Sequence, residues 1–165
     1  MMREVHIRGP AMAFTAPQPL PEHRRLEAMC GTFTGEEIQF ASAWGPEERR
    51  RTSTLHAKML DGFFVVSDYV QSEGSTVNFR GHGVYGYDAE NACYRMHWFD
   101  SMGGPGSVVD GQFEGDVLTF EKATPHGHNR YRYTFKDDGY VFEIALSQDG
   151  VAWQPLMQAT FTRTE

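Results

Sequence analysis

From Gly31 to the C-terminus the chain alternates between apolar and polar positions with a period of two. Short runs rich in Thr, Val, Phe and Tyr are separated by turn residues at intervals of roughly 8–12 residues. This rhythm predicts strands near 32–40, 51–60, 63–72, 76–87, 92–100, 107–113, 116–122, 128–136, 140–148 and 152–163. The punctuation is chemically explicit. Asp61-Gly62, Glu114-Gly115, Asp138-Gly139 and Asp149-Gly150 put glycine where a tight turn needs positive φ. Glu73-Gly74-Ser75 and Ala89-Glu90-Asn91 serve as further turns.

Ahead of the strands the period changes. Pro21 to Met29, PEHRRLEAM, predicts a short helix with Pro21 in its first turn and Gly31 as its stop. Leu26 and Met29, three apart, would lie against the body, and such a helix plugs or covers one mouth of a barrel. Residues 1–20 hold Pro10, Pro17 and Pro19 without periodicity and are expected to form a flexible arm. Residues 21–165 then make a single all-β domain, an antiparallel up-and-down barrel of about ten strands that closes on itself and so removes its edges. No βαβ spacing and no fixed repeat points to another architecture.

Register decides which side chains look inward. With Asp61-Gly62 as a two-residue loop, Leu60 pairs with Phe63, and one face carries Leu55, Ala57, Met59, Phe64, Val66, Asp68 and Val70. That face is apolar except for Asp68 and is assigned to the interior. A three-residue loop at Glu73-Gly74-Ser75 would set Asp68 opposite Arg80, Val66 opposite His82 and Phe64 opposite Val84. Turning at Ala89-Glu90-Asn91 would then set Val84 opposite Met96, His82 opposite Trp98 and Arg80 opposite Asp100. In this register Tyr94 continues the inner face, and His82 and His97 differ in face. The faces of 128–136 and 140–148 stay open, since Tyr131, Tyr133 and Phe135 compete with Phe142, Ile144 and Leu146 for the inside.

Two readings follow for Asp68, Arg80 and Asp100. A buried arginine must be paired, because desolvating a lone charge is costly, so the trio makes an internal ion cluster. Alternatively the trio, with His82 and Trp98, holds the polar head of a ligand whose apolar part lies along Met59, Phe64 and Met96. A carboxylate acid/base pair is disfavoured, since Arg80 would keep both acids ionised.

Composition narrows the classes. Hydrophobic residues at 40% and aromatics at 13% of 165 residues supply a core without staples. A formal charge of -7 argues against a general grip on nucleic acid. Arg49-Arg50-Arg51 follows Glu47 and Glu48 and reads as a solvated strand end. Cys30 and Cys93 have no metal-ligand spacing and fit free thiols in a reducing, cytoplasmic setting. No apolar run approaches the ~20 residues that span a bilayer, and no membrane partner is expected. His126-Gly127-His128 lies in a Pro/Gly loop without a third ligand, and no metal or other cofactor is predicted. Ser101 has no nucleophile elbow around it.

Several separated motifs carry a resemblance. They are Cys30-Gly31-Thr32-Phe33-Thr34-Gly35-Glu36, Phe79-Arg80-Gly81-His82-Gly83-Val84-Tyr85-Gly86-Tyr87-Asp88, Trp98-Phe99-Asp100-Ser101-Met102-Gly103 and Ser147-Gln148-Asp149-Gly150. Together, over about residues 20–163, they resemble the DUF1579 family, bacterial proteins of unknown function. The resemblance implies a lipocalin-like barrel of the calycin group. Gly31-Thr32-Phe33 is similar to the Gly-x-Trp that opens lipocalins, and it implies that Arg163 packs against Phe33.

The leading functional expectation is an intracellular carrier or sensor that binds an unidentified small apolar or amphipathic molecule in the barrel, as monomer or homodimer. Its cavity candidates are Asp68, Arg80, His82, Tyr94, Met96, Trp98, Asp100, Met59 and Phe64. Haem is one such ligand, and among His56, His82 and His97 none stands out as its axial partner. An enzyme with His82 as acid/base and Arg80 as anion anchor is the second expectation. A filled barrel acting through its outer surface is the third.

Overall fold

The computed structural model describes residues 13–164. Ten strands close into one barrel: β1 (Gly31–Gln39), β2 (Arg49–Leu60), β3 (Phe64–Glu73), β4 (Thr76–Asp88), β5 (Cys93–Asp100), β6 (Ser107–Glu114), β7 (Val117–Thr124), β8 (Gly127–Lys136), β9 (Gly139–Ser147) and β10 (Gln154–Arg163). Each strand pairs antiparallel with its neighbours in sequence, and β10 returns to β1. The closed, up-and-down, all-β architecture is the one the alternating pattern predicts, and most strand ends fall within two residues of expectation. Twist and closure leave no unpaired edge.

The expected helix is also present, in two parts. A single α-turn, α1 (Pro21–Arg25), runs into a 3-10 turn at Leu26–Met29. Leu26 and Met29 are buried, and the segment caps one end of the barrel. The His23 ring meets Phe63 and Tyr87 edge-on at 5.2 and 5.6 Å. Tyr94 Oη donates to the Glu22 carbonyl at 2.9 Å, and the Arg25 guanidinium lies 4.1 Å over the Phe113 ring. At the seam, Arg163 sits 4.7 Å over the Phe33 ring and donates to the Cys30 carbonyl, the contact that the resemblance implied. The flexible-arm expectation for 1–12 lies outside the described residues. Residues 13–20 run without regular structure.

Register departs from expectation at three turns. After Leu60 the loop is Asp61-Gly62-Phe63, so Leu60 pairs with Phe64 and Met59 with Val65. Phe63 leaves the ladder because its ring is taken up against His23 of the cap. That one-residue slip turns β3 over: Val65, Ser67, Tyr69 and Gln71 face inward, and Phe64, Val66, Asp68 and Val70 face out. At the β3–β4 hairpin Glu73 pairs with Thr76, and a bulge follows, so that Gln71 pairs with Phe79 and Asp68 with His82. The β4–β5 connection is four residues long, with Ala92 at φ 50, so Gly83 rather than His82 faces Trp98. Slips before β3 and after β4 cancel at β5, whose inward set is the expected Tyr94, Met96, Trp98 and Asp100.

Both aromatic sets of β8 and β9 are inside. Tyr133 pairs with Phe142, Tyr131 with Ile144 and Phe135 with Tyr140. They are partners across one ladder rather than competitors, so one face collects them all.

Candidate functional site

The inward face does not fill the barrel. A cavity of about 600 Å³ remains, within the range of small-molecule sites. Its wall is largely aromatic: Tyr69, Phe79, Tyr85, Trp98, Tyr131, Tyr133, Tyr140, Phe142 and Phe161 line it, with Leu55, Met96, Ile144 and Met157 between them. Met29 of the cap closes the inner end. At the far end the lining reaches the exposed residues Trp44, Asn78 and Met102, which mark a mouth to solvent. Two loops frame that mouth, the β1–β2 connection carrying Trp44 and the β5–β6 connection carrying Met102.

Glycine makes the wall possible at one point. A Cβ on Gly81 would lie 2.1 Å from Trp98 Cζ2, so the indole rests directly on the Gly81 backbone. The Trp98 Nε1 then donates to Asp100 Oδ2 at 3.0 Å, while Asp100 Oδ1 accepts from the Met102 amide at 2.9 Å. The Ser101 hydroxyl accepts from the Arg80 amide at 3.0 Å. The motif Trp98 to Gly103 therefore shapes one lip of the mouth.

Two polar groups interrupt the wall. Deep inside, Tyr85 and Tyr133 share a hydroxyl–hydroxyl hydrogen bond of 3.0 Å, and Tyr133 Oη reaches Met96 Sδ at 3.9 Å. Burial pushes both phenols up from their ordinary range. Nearer the mouth, the buried Glu37 carboxylate accepts from Tyr69 Oη and from Gln71 Nε2, each at 2.5 Å. Burial first, and then the Glu37 charge, push the Tyr69 phenol far up, so it serves as a donor and not as a base. Beside them Arg51, the cross-strand partner of Glu37, donates from Nη1 to Gln39 Oε1 at 2.6 Å, while its Nε is buried without an acceptor.

Of the expected site residues, Met96, Trp98 and Asp100 line the cavity. Tyr94 is inward and buried, but its hydroxyl is bonded to the Glu22 carbonyl of the cap and it does not line the cavity. Met59 packs against the core without reaching the cavity wall. The others require correction. Asp68, Arg80, His82 and Phe64 stand on the outer face, because the Phe63 slip inverted β3 and the glycines of β4 took the inside. Asp68 Oδ1 and His82 Nδ1 meet there at 2.8 Å, both well exposed. No ion cluster of Asp68, Arg80 and Asp100 forms, and a cavity mechanism built on His82 and Arg80 is ruled out by their position. His97 pairs with Val84 and is outward like His82, contrary to the expected difference in face. His56 is outward too, so none of the three weighed as haem ligands faces the cavity.

Sequence reasoning missed Glu37, Tyr69, Gln71 and Arg51. A signal for two of them was present. Stepping back by twos from Leu55 gives Ser53 and Arg51, and stepping forward from Phe33 gives Gly35 and Glu37. Tyr69 and Gln71 were hidden by the inverted β3.

The family model described as "Protein of unknown function (DUF1579)" matches residues 18–163, nearly all of the barrel and its cap. The chain belongs to the DUF1579 family. No curated protein matches it. Among solved structures, this DUF1579 protein is similar to the "Crystal Structure of Rv2717c from M. tuberculosis", with a TM-score of 0.67 and 12% sequence identity. The match covers 90% of this chain and 100% of that one. At that identity the likeness concerns the fold alone.

Proposed function

We propose that this DUF1579 barrel binds a small apolar or amphipathic molecule in its cavity, as a carrier or sensor. One observation carries the reading: an aromatic-walled space of about 600 Å³, capped at one end and reaching solvent at the other. Filling such a space with apolar ligand surface stabilises a complex by roughly 25 cal/mol for each Å² removed from water, less the cost of association. The tyrosine pair and the Glu37–Arg51 region supply the few polar groups that orient a ligand. A barrel that acts only through its surface has no need of this void, which costs packing energy.

The test begins with native mass spectrometry of protein purified from cells, where bound small molecules are expected as adducts. Trp44 and Trp98 line the cavity while Trp153 stacks under Arg130 outside it, so ligand entry should change the tryptophan emission. Titration with lipids and tetrapyrroles should therefore shift the fluorescence, and Trp98→Phe should reduce the response. Absence of adducts together with a flat response across the panel would reject the proposal.

A further inference from the structure

Resting on that binding reading, the chemistry of the mouth says what kind of molecule enters. Arg51 is an inward residue of β2 whose side chain is only 13% exposed. A guanidinium carries five N–H donors, and this one makes a single hydrogen bond among the described residues, from Nη1 to Gln39. Its Nε is buried and makes no hydrogen bond, and its one ion pair is a long one, 3.6 Å from Nε to Oε2 of Glu73, a rim carboxylate that is 46% exposed. A cation so far removed from water and so poorly matched in donors favours an acceptor-rich anion.

The acids around it are otherwise engaged. Glu37 gives one oxygen to Tyr69 and the other to Gln71. Asp100 turns its two oxygens to Trp98 and the Met102 amide. Glu73 is shared with Arg49, at 3.8 Å, and is screened by solvent. Arg51 is the cation among the residues that line the cavity, and the aromatic wall begins beside it with Tyr69 and Phe79.

We propose that Arg51, with Gln39 and Trp44 beside it, is an anion-recognition subsite. It takes the carboxylate, sulfonate or phosphate head of an amphipathic ligand whose rings or chain lie among the cavity aromatics. The whole chain carries a charge of -7, which disfavours anions in general, so any preference for an anion must arise locally at this arginine.

Two fluorescent probes with the same aromatic body test this. Anilinonaphthalene sulfonate carries an anionic head, and phenylnaphthylamine is its neutral counterpart. The sulfonate is expected to bind about tenfold or more tightly than the neutral probe, the gain of a charge-assisted hydrogen bond. Arg51→Met, checked for native near-ultraviolet circular dichroism, should abolish that preference. Arg51→Lys keeps the charge but loses the planar fork, and should retain part of it. Should the methionine variant fail to fold, a several-fold drop in preference for the folded lysine variant carries the same conclusion. Equal binding of both probes by the wild type, or a preference untouched in a folded Arg51 variant, overturns the anion subsite and leaves cavity binding standing. Failure of both probes to bind overturns the anion subsite, while the adducts and the lipid and tetrapyrrole titrations decide cavity binding separately.

Discussion

Gly81 and His82 are neighbours with opposite obligations. Gly81 faces inward, and Trp98 occupies the space a side chain would need. His82 faces out and makes an exposed cross-strand contact with Asp68. The two positions therefore predict contrasting mutants. Gly81→Ala forces Trp98 off its seat and should destabilise the barrel by about 1–3 kcal/mol, the cost of overpacking, while altering the near-ultraviolet tryptophan signal. His82→Ala should change stability by no more than about 0.5 kcal/mol, as befits a surface pair. Chemical denaturation of both variants, side by side, checks the assignment of faces. A large loss for His82→Ala would restore an interior role for that histidine.

The cap is the element that converts a tube into a one-ended cavity. Its α-turn is too short to be stable alone, and packing holds it in place. Leu26 is fully buried beneath it, and Met29 forms the cavity's inner end. Leu26→Ala should therefore cost about 2–5 kcal/mol, the range for a buried leucine, with faster amide exchange over residues 21–30. If exchange there were unaffected, the cap would not depend on that contact. The same element explains the register of β3, since Phe63 abandons the ladder to meet His23. At the other end of the barrel, Asp149 Oδ1 accepts from the amides of Val151 and Ala152 and from the Ser147 hydroxyl, which pulls its carboxyl below the usual range. The Ser147-Gln148-Asp149-Gly150 motif is thereby accounted for as a braced turn between β9 and β10.

At the scale of the molecule, the tyrosines give the barrel a characteristic response to alkali. Burial raises the phenols of Tyr85, Tyr133 and Tyr140, and with them Tyr69. Each keeps its proton in the folded state above about pH 10, where an unfolded chain loses it. The unfolded state then binds fewer protons, so stability is full below about pH 10 and falls as the pH rises further, by at most about 1.4 kcal/mol per pH unit for each such group. Tyrosinate absorbance of Tyr69, Tyr85, Tyr133 and Tyr140 should therefore appear together with cooperative unfolding and not ahead of it. Smooth titration of all seven without loss of structure would contradict the burial.

Local chemistry by itself determined the strands, the turns, the short cap and the closure, because alternation and turn glycines act within a few residues and ten antiparallel strands in succession have one economical way to hide their edges. The inward face of β5 came out as expected only because two one-residue slips cancelled, and the Phe33–Arg163 contact followed from the family resemblance. Which side of β3 and β4 faces the cavity was decided only by tertiary structure. An extra residue at Phe63, a bulge near Asn78 and a fourth residue at Ala92 are each small, but a β-strand has a side-chain period of two. One residue more or less exchanges the inside for the outside, and the reason for the extra residue, a phenylalanine drawn to a histidine 40 positions earlier, lies beyond the reach of any local pattern.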